Sequence, residues 1–564
     1  MSGRSGFSTL AVLLLLALPM GAGAATITIV NADGASEGFN DPTPATPVGG
    51  NPGTTIGQQR LYVFQYAAGI WGSILPSAVE IRVTAKFDPI AGCTANAGTL
   101  GSTTTPAFFA NQPTFPVQQT FYPQALANKL AGTDLNTTVD DMSIIFNSDV
   151  DNAVCLGAID WYYGVDGLEG TDVELLPVVL HEIGHGLGFN SQVNIDGTYA
   201  GGTMPSIYAR FILDNTTGQH WDQMTASQRA VSFINTGNVV WDGPAMNAQA
   251  PLFLDRQRIV SITSPAVIAG NYRSGYANFA NDLKVVTAPV VLADDGVADL
   301  STSNGCTPLV NTAQIAGNIV LIDRGTCTLL SKAQAAQAAG AIGAIIADTL
   351  TSVNPLDMNG SDNLTIPVAG ITRADALLIK GQLAAGVTAT LGGRHPVWLT
   401  GADDVGHARL YAPNPPSAGS SISHLDLPAV PNLLMEPSVS ASLSSQVDLA
   451  RQVLRDIGWF TGSNITSVPQ GSGPDLQLAS APNPFEGATT VSFRLAKPGP
   501  VELDVYGVDG RHIRRLAGGS IPAGTHAFTW DGRGDDGRSA SPGVYLVRLH
   551  AQEGTWAGRV VRLH

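Results

Sequence analysis

The segment Val178-Val179-Leu180-His181-Glu182-Ile183-Gly184-His185-Gly186-Leu187-Gly188-Phe189 decides how the rest of this chain can be interpreted. Its HExxH pattern places two histidines four positions apart, so they stand one above the other on the same face of a helix. Their imidazoles can bind one metal ion, and Glu182 can take a proton from a water molecule that attacks a carbonyl. The segment predicts a zinc-dependent hydrolase. The alternative is a chance match whose histidines are ordinary core residues.

The residues on either side of this pattern predict where the helix begins and ends. Thr171-Asp172-Val173-Glu174 has the spacing of a capping box, which predicts the beginning. Each interior glycine disfavours a helix by about 0.8–1 kcal/mol relative to alanine. We therefore expect the helix to end among Gly184, Gly186 and Gly188, with Gly188 as a left-handed cap.

The glycine spacing resembles the metzincin metalloproteases, whose pattern is HExxHxxGxxH. Here Ser191 occupies the last position of that pattern, so a third protein ligand either comes from elsewhere or is absent. No glutamate lies between Glu182 and Glu436, which disfavours zinc proteases that use a downstream glutamate. The open candidates are Asp196, Asp214, His220 or a more distant histidine.

A distant segment, Gly419-Ser420-Ser421-Ile422-Ser423-His424-Leu425-Asp426 followed by Asn432-Leu433-Leu434-Met435-Glu436-Pro437, resembles leishmanolysin-like metzincins. In that family a third histidine comes after a long insertion and just before a methionine turn. The resemblance implies His181, His185 and His424 as zinc ligands, Glu182 as general base and Met435 as the turn methionine. Leu425 stands where that family usually has tryptophan. The alternatives are a loop histidine bonded to backbone and a core methionine.

Composition describes a globular, acidic protein of several domains. The chain has 564 residues, of which 44% are hydrophobic and 13% charged, and length alone predicts three or four domains. The formal charge of −16 argues against nucleic acid as a partner.

The first residues predict export. Arg4, an apolar run from Leu10 to Leu18 and the small residues at 22–24 are typical of a signal peptide at 1–24. No later apolar run is long enough to span a bilayer, so we expect a secreted protein, with cell-surface association left open. Outside the cytoplasm four cysteines allow three pairings, of which chain order favours Cys93–Cys155 and Cys306–Cys327.

Residues 25–259 are predicted to form the first part of an α+β catalytic domain. Strands are expected at 26–30, 79–83 and 142–147, and a helix at 58–74. In the metzincins the strand that resembles 142–147 lies at the sheet edge and pairs with extended substrate.

Residues 260–393 change to alanine, valine and isoleucine with few aromatics. The segment resembles the α/β protease-associated (PA) domain: a buried strand that runs into a turn at 317–327, a helix at 332–339, a strand at 340–348, the pair Gly305-Cys306 before Cys327, and Ile366-Pro367-Val368. A nucleotide-binding βαβ unit is disfavoured because no glycine-rich phosphate loop joins a strand to a helix here.

The PA-like segment interrupts the catalytic domain, whose second part is predicted at 394–460. It would contain His424, Met435 and a closing helix at 447–459. Such an insertion is tolerated where the ends of the host chain lie close together.

The C-terminal region predicts a separate all-β module. A linker rich in Gly, Ser, Thr and Pro is expected at 461–475, and alternating strands predict an Ig-like sandwich at 476–564. Its Pro482-Asn483-Pro484-Phe485 and Gly543-Val544-Tyr545 segments resemble modules at the carboxyl ends of exported bacterial proteins, some being type IX sorting signals and others flagellar hook-capping modules. Contact with secretion machinery or a cell surface is the implied role.

Together these features predict a secreted, bacterial zinc metalloendopeptidase with one catalytic zinc ion, acting on proteins or peptides. Whether the acidic loops bind calcium is left open by the sequence. The competing hypothesis is an inactive adhesion or binding protein on a metalloprotease scaffold, which Ser191 favours. A purely structural zinc is disfavoured because such sites fill all four positions with cysteine or histidine.

Overall fold

A computed structural model describes most of the chain in two compact units, Met1–Thr466 and Ser467–His564. The described residues are 24–281, 284–297, 301–352, 354–438, 447–460, 479–481, 485, 487–495, 498–507, 512–535, 537–541, 543–551 and 554–562. The predicted signal peptide, apart from Ala24, and the predicted linker lie outside them. So do Pro482, Asn483 and Pro484. No helix in the described ranges is both long and apolar enough to cross a membrane.

The first part of the chain builds a four-stranded sheet, a short two-stranded sheet and two helices. Its elements are β1 (Ile27–Asn31), α1 (Ile56–Ile74), β2 (Ile81–Asp88), β3 (Gly101–Thr104), β4 (Phe108–Phe109), β5 (Tyr122–Pro123), α2 (Gln124–Ala131) and β6 (Met142–Asn147). The alternating burial of β2, with its odd-numbered side chains buried, explains why it is an inner strand. The sheet predictions for this region are confirmed to within a few residues.

The predicted position of segment 142–147 at the sheet edge is wrong. The strand order is β1-β2-β6-β3, so β6 lies inside the sheet, parallel to β2 and antiparallel to β3. Four of its six side chains are buried, which explains why it has neighbours on both sides. The strand beyond it is β3, which is short and polar and gave no strand signal in the sequence.

The HExxH segment forms the buried helix α3 (Leu175–Gly186), which follows β7 (Trp161–Tyr162) and β8 (Val173–Glu174). The predicted capping box is wrong: Glu174 is the N-cap residue and its side chain makes no cap hydrogen bond. Val173 and Glu174 are in a strand that pairs with β7, so the helix begins only at Leu175. At the other end Gly188 has a φ of +124°, so its predicted role in turning the chain is confirmed.

The segment after α3 packs small elements around tryptophans. These are β9 (Ile212–Asp214), β10 (Gln219–His220), α4 (Ala226–Ser232), β11 (Val239–Trp241) and α5 (Pro244–Phe253). The three strands form a sheet in the order β10-β9-β11. Trp221 and Trp241 are fully buried, so this sheet belongs to the same core as α1 and α3.

The next segment forms a seven-stranded mixed sheet. Its elements are β12 (Arg256–Ser264), β13 (Gly270–Arg273), β14 (Val286–Leu292), α6 (Thr312–Ile315), β15 (Ile319–Asp323), α7 (Leu329–Ala338), β16 (Gly343–Ala347), β17 (Val368–Ile371), α8 (Arg373–Lys380) and β18 (Thr388–Leu399). The order is β13-β12-β18-β14-β15-β16-β17, with β14 to β17 parallel. Every residue of β15 and β16 is buried, as expected for parallel strands covered on both faces.

The entry and exit strands of this sheet lie side by side. β12 and β18 pair antiparallel from Arg256 opposite Leu399 to Ser264 opposite Thr388. The chain therefore leaves and re-enters the first core at neighbouring points, as an insertion requires. The returning chain ends in α9 (Ala450–Asp456), within the predicted closing helix, and Leu449, Val453 and Trp459 are fully buried in the same core as α3.

Both predicted disulfides, Cys93–Cys155 and Cys306–Cys327, are present, with Cα atoms 5.1 and 5.5 Å apart. The first joins the segment before β3 to the loop after β6, and the second lies beside β15 in the seven-stranded sheet.

The second unit is a sandwich of two antiparallel sheets. Its strands are β19 (Ala479–Ala481), β20 (Thr489–Leu495), β21 (Gly499–Gly507), β22 (His512–Ile521), β23 (Gly524–Trp530), β24 (Gly543–Ala551) and β25 (Gly554–Arg562). The orders are β19-β20-β23 and β22-β21-β24-β25, around a core that contains Phe485, Leu503 and Trp530. The predicted all-β fold is confirmed, with β19, β22 and β25 as strands that the sequence did not indicate.

Candidate metal centre

Three histidines meet at one point in the first unit. The Nε2 atom of His185 lies 3.0 Å from that of His181 and 3.2 Å from that of His424, and those of His181 and His424 are 3.1 Å apart. In the described part of the chain they are the one group of three or more His, Cys, Asp or Glu side chains whose ligand atoms all lie within 4.8 Å of one another.

Backbone carbonyls fix the tautomer of all three rings. Each Nδ1 atom lies 2.7 Å from a carbonyl oxygen, and because that oxygen can only accept, each Nδ1 carries the proton and donates it. The three pairs are His181 with Leu434, His185 with Phe189, and His424 with Ser420. All three Nε2 atoms are left with free lone pairs that face one another.

Burial keeps the three rings neutral. It lowers the pKa of His181 to about 4 and that of His185 to about 3, and it lowers the pKa of His424 well below the ordinary value. Lone pairs at this separation repel unless a cation lies between them. Nitrogen ligands at 2.0–2.1 Å around a tetrahedral zinc ion are about 3.3 Å apart, so the donor set fits zinc with one position open.

Two segments separated by the seven-stranded sheet hold this geometry. α3 supplies His181 and His185, and backbone bonds from the Tyr411 N–H to the His424 carbonyl (2.9 Å) and from the Leu425 N–H to the Met435 carbonyl (2.8 Å) fix the third. Met435 is fully buried against α3: a Cβ on Gly184 would lie 2.9 Å from its sulfur. The structure thus places Met435 against the helix that carries His181 and His185.

The other candidate ligands lie in different surroundings. The Asp196 carboxylate accepts hydrogen bonds from Thr198, and Asp214 accepts from the Thr216 and Thr217 N–H groups. His220 pairs with Asp242. Ser191, at the position where the metzincin pattern has histidine, is buried next to the segment that carries His424, because its N–H donates to the Ser423 hydroxyl at 3.1 Å.

The pairing of His220 belongs to a second chain of titratable groups. Asp242 lies 3.0 Å from the His220 Nε2 and 3.5 Å from the His407 Nε2, while the His407 Nδ1 lies 3.1 Å from Asp403. One carboxylate thus separates the two imidazoles, and they do not form a three-ligand group.

Glu182 is buried beside the histidines and is held by a strand that the sequence did not single out. Burial raises the pKa of its carboxyl group to about 7, although a hydrogen bond from Thr103 favours the ionised form. A carboxyl group that titrates near neutrality is suited to taking and returning a proton. Thr103 belongs to β3, and one of three consecutive threonines in a polar segment gives no sequence signal for this contact.

A small depression opens next to His185. Its walls include Phe108, Pro123, Ile207 and Tyr208, with Gly188 at one end. Thr105, Asn190 and Ser206 complete the lining, so the depression is of mixed polarity.

Comparison with protein families identifies two segments of the chain. Residues 286–379 match the PA domain, and residues 480–555 match the FlgD Ig-like domain. The first match lies within the seven-stranded sheet and the second within the C-terminal sandwich.

Curated relatives cover limited parts of the chain. The basal-body rod modification protein FlgD of Salmonella typhimurium is 31% identical over 116 residues, which is 20% of this chain and 47% of FlgD. Leucine aminopeptidase 2 of Arthroderma otae is 35% identical over 107 residues, 19% of this chain and 20% of that protein. The chain therefore spans half or less of the length of these relatives.

Solved structures give similarly partial matches. The zinc aminopeptidase BSAP from Bacillus subtilis matches with a TM-score of 0.19 and 20% identity, over 33% of this chain and 41% of that one. FlgD from P. aeruginosa matches with a TM-score of 0.12 and 26% identity, over 13% and 60%. The chain thus carries a PA domain at 286–379 and a FlgD Ig-like domain at 480–555.

Proposed function

We propose that this protein is a secreted zinc metalloendopeptidase of the leishmanolysin-like metzincin type. The observation that carries the proposal is the convergence of three neutral imidazoles through their Nε2 atoms, two of them buried and that of His181 partly buried, with a buried glutamate on the same helix. His181, His185 and His424 would hold the zinc ion. Bound there, zinc supplies Lewis acidity, which makes water a nucleophile at neutral pH and polarises a carbonyl.

The chain's own residues supply the proton transfers. Glu182 would accept the proton of the attacking water and pass it to the leaving amine, for which a pKa near 7 is suitable. The carbonyls of Leu434, Phe189 and Ser420 keep the ligand rings in the required tautomer.

Aminopeptidase activity is a second candidate because two kinds of comparison include proteins of that name. Those matches cover at most a third of the chain. We therefore favour cleavage within chains.

The deciding experiment compares two substrates with three forms of the purified mature protein: wild type, Glu182→Gln and chelator-treated. We expect wild type to cleave an unfolded protein into internal fragments and to leave leucine 4-nitroanilide intact. Glu182→Gln should keep one zinc per chain and lose turnover by about 100-fold or more. Release of single amino-terminal residues would establish an aminopeptidase instead. Zinc binding without any cleavage would favour the adhesion protein.

The C-terminal Ig-like module is proposed to act in export or in surface attachment rather than in catalysis. The described core of the module consists of residues between Phe485 and Val560. Removal of residues 476–564 should leave peptidase activity intact and change where the protein accumulates in a producing bacterium. Loss of activity in the shortened protein would contradict this division of roles.

A further inference from the structure

The strand β3 lies directly beside the proposed general base. It pairs antiparallel with β6, with Gly101 opposite Phe146 and Thr103 opposite Ile144, so its backbone is fixed by the sheet. Side chains two residues apart point to the same face of a strand. The positions of Gly101 and Thr103 are the half-buried ones in β3, and both lie against Glu182.

The hydroxyl group of Thr103 contacts Glu182 twice. Its Oγ1 atom lies 2.7 Å from the carboxylate Oε2 and 2.8 Å from the backbone carbonyl oxygen of the same residue. One hydroxyl thus connects the main chain of the helix to the end of its own glutamate side chain. This contact restricts the rotation of the carboxylate. The causes of the raised pKa of Glu182 are burial and, in the opposite direction, the hydrogen bond from Thr103, and they include no cation.

Gly101 leaves the space that the carboxylate occupies. A Cβ atom at this position would lie 3.0 Å from the Glu182 Cγ, 3.1 Å from Oε1 and 3.2 Å from Cδ. Any larger residue would press on the side chain from the face where the strand now touches it. The strand therefore supplies both a hydrogen-bond donor and a fitted surface.

We propose that Thr103 is a positioning residue that holds the carboxylate of Glu182 in the orientation needed for proton transfer, with Gly101 providing the room. The inference rests on the proposed peptidase function. Misplacement of a catalytic group by about 1 Å can lower a rate by about 100-fold, so a single hydroxyl can matter.

Two substitutions separate the hydroxyl from the shape of the side chain. Thr103→Val removes the hydroxyl with little change in shape, and Thr103→Ser keeps it. Thr104→Val is the matched control, because Thr104 is exposed on the opposite face of the same strand. We expect Thr103→Val to lower kcat by about 10- to 100-fold with KM within about twofold and one zinc per chain retained. Thr103→Ser and Thr104→Val should stay within about threefold of wild type.

A second readout needs neither zinc nor substrate. In the metal-free protein, the melting temperatures of Thr103→Val, Glu182→Gln and the double variant form a double-mutant cycle. If the hydroxyl acts through the carboxylate, the double variant should melt no lower than the less stable single variant. Additive losses would show that the two groups do not interact and would overturn the proposal.

The two readouts together distinguish the possible failures. Hydrolysis by wild type with an unchanged kcat in Thr103→Val overturns the positioning role. Equal losses in the Val and Ser variants, or loss of zinc in Thr103→Val, overturn it in favour of a structural role. If wild type hydrolyses nothing, the proposed function fails. A non-additive cycle in that case would show that Thr103 and Glu182 interact but that the contact contributes only to stability.

Discussion

The indole N–H of Trp459 donates a hydrogen bond to the carbonyl oxygen of Leu187 at 2.8 Å, just beyond the last turn of α3. Trp71 on α1 does the same for the carbonyl of Leu180, at 3.0 Å. Both tryptophans are fully buried. The histidine-bearing helix is therefore held at two points by residues that are distant from it in sequence.

Replacing Trp459 by Phe should destabilise the first unit. The substitution leaves the buried carbonyl of Leu187 without this donor and leaves part of the indole's space unfilled. We expect the free energy of unfolding to fall by roughly 1–3 kcal/mol. The measurement is chemical unfolding followed by circular dichroism. A variant as stable as wild type would show that the hydrogen bond contributes nothing net.

Replacing Gly188 by Ala should be costly for two reasons. Its φ of +124° disfavours any side chain, and a Cβ would lie 2.7 Å from Ile457 and 3.1 Å from Pro123. We expect a loss of roughly 2–4 kcal/mol. Gly132→Ala is the control, because that glycine also has positive φ but a Cβ there meets nothing within 4 Å. This variant should lose about 1 kcal/mol of stability. Equal losses of stability in the two variants would show that the close approach of Ile457 and Pro123 to Gly188 has no effect.

Replacing His424 by Ala should weaken zinc binding. The remaining two histidines provide too few protein ligands for zinc. Loss of a residue that only hydrogen-bonds to a ligand typically lowers metal affinity by roughly 10- to 100-fold, so loss of the ligand itself should lower it further. Competition with a chelating dye measures the affinity. His220→Ala and His407→Ala should bind zinc as wild type does. Unchanged affinity in His424→Ala would point back to Asp196, Asp214 or His220.

The Asp403–His407 pair should make stability depend on pH within a defined window. Burial alone would raise the pKa of Asp403, but hydrogen bonds from His407 and Asn215 outweigh it and lower the pKa from 3.8 to about 2. The hydrogen bond to Asp403 in turn raises the pKa of His407. The carboxylate contribution is lost as pH falls from about 4 toward 2. The imidazolium contribution is lost as pH rises through the raised pKa of His407.

Asp403→Asn should therefore lower the melting temperature most between about pH 4 and pH 6.5, where the pair contributes roughly 1 kcal/mol after allowance for solvent screening. The neighbouring Asp404→Asn is the control, since Asp404 is largely exposed in its ion pair with Arg273. Melting curves from pH 4 to pH 9 provide the test. A difference from wild type that stays constant across this range would contradict the assignment.

Local patterns predicted much of this fold because they depend on residues close together in sequence. The spacing of His181 and His185 indicated a helix, and the apolar runs within 317–327 and 340–348 indicated strands, which are present as β15 and β16. His424 and Met435 were found through family resemblance, and the structure places both beside α3.

Features that depend on pairing between distant segments were beyond the sequence. The predicted edge position of 142–147 failed because nothing in Gly101–Thr104 marks it as a strand, yet it covers that edge. The predicted capping box failed because β7 binds the backbone of Val173 and Glu174. The carbonyl partners of the histidine rings belong to main chain, which carries no residue-specific signal.

The insertion between His185 and His424 also sets a delay in time. The two residues are 239 positions apart, and a chain grows at about 5–20 residues per second, so the third histidine is synthesised roughly 12–48 s after the second. Throughout that interval the growing chain contains HExxH but not the three-histidine group. A chain that stops anywhere in the seven-stranded sheet never forms it, so only a polypeptide completed beyond this sheet can assemble the site.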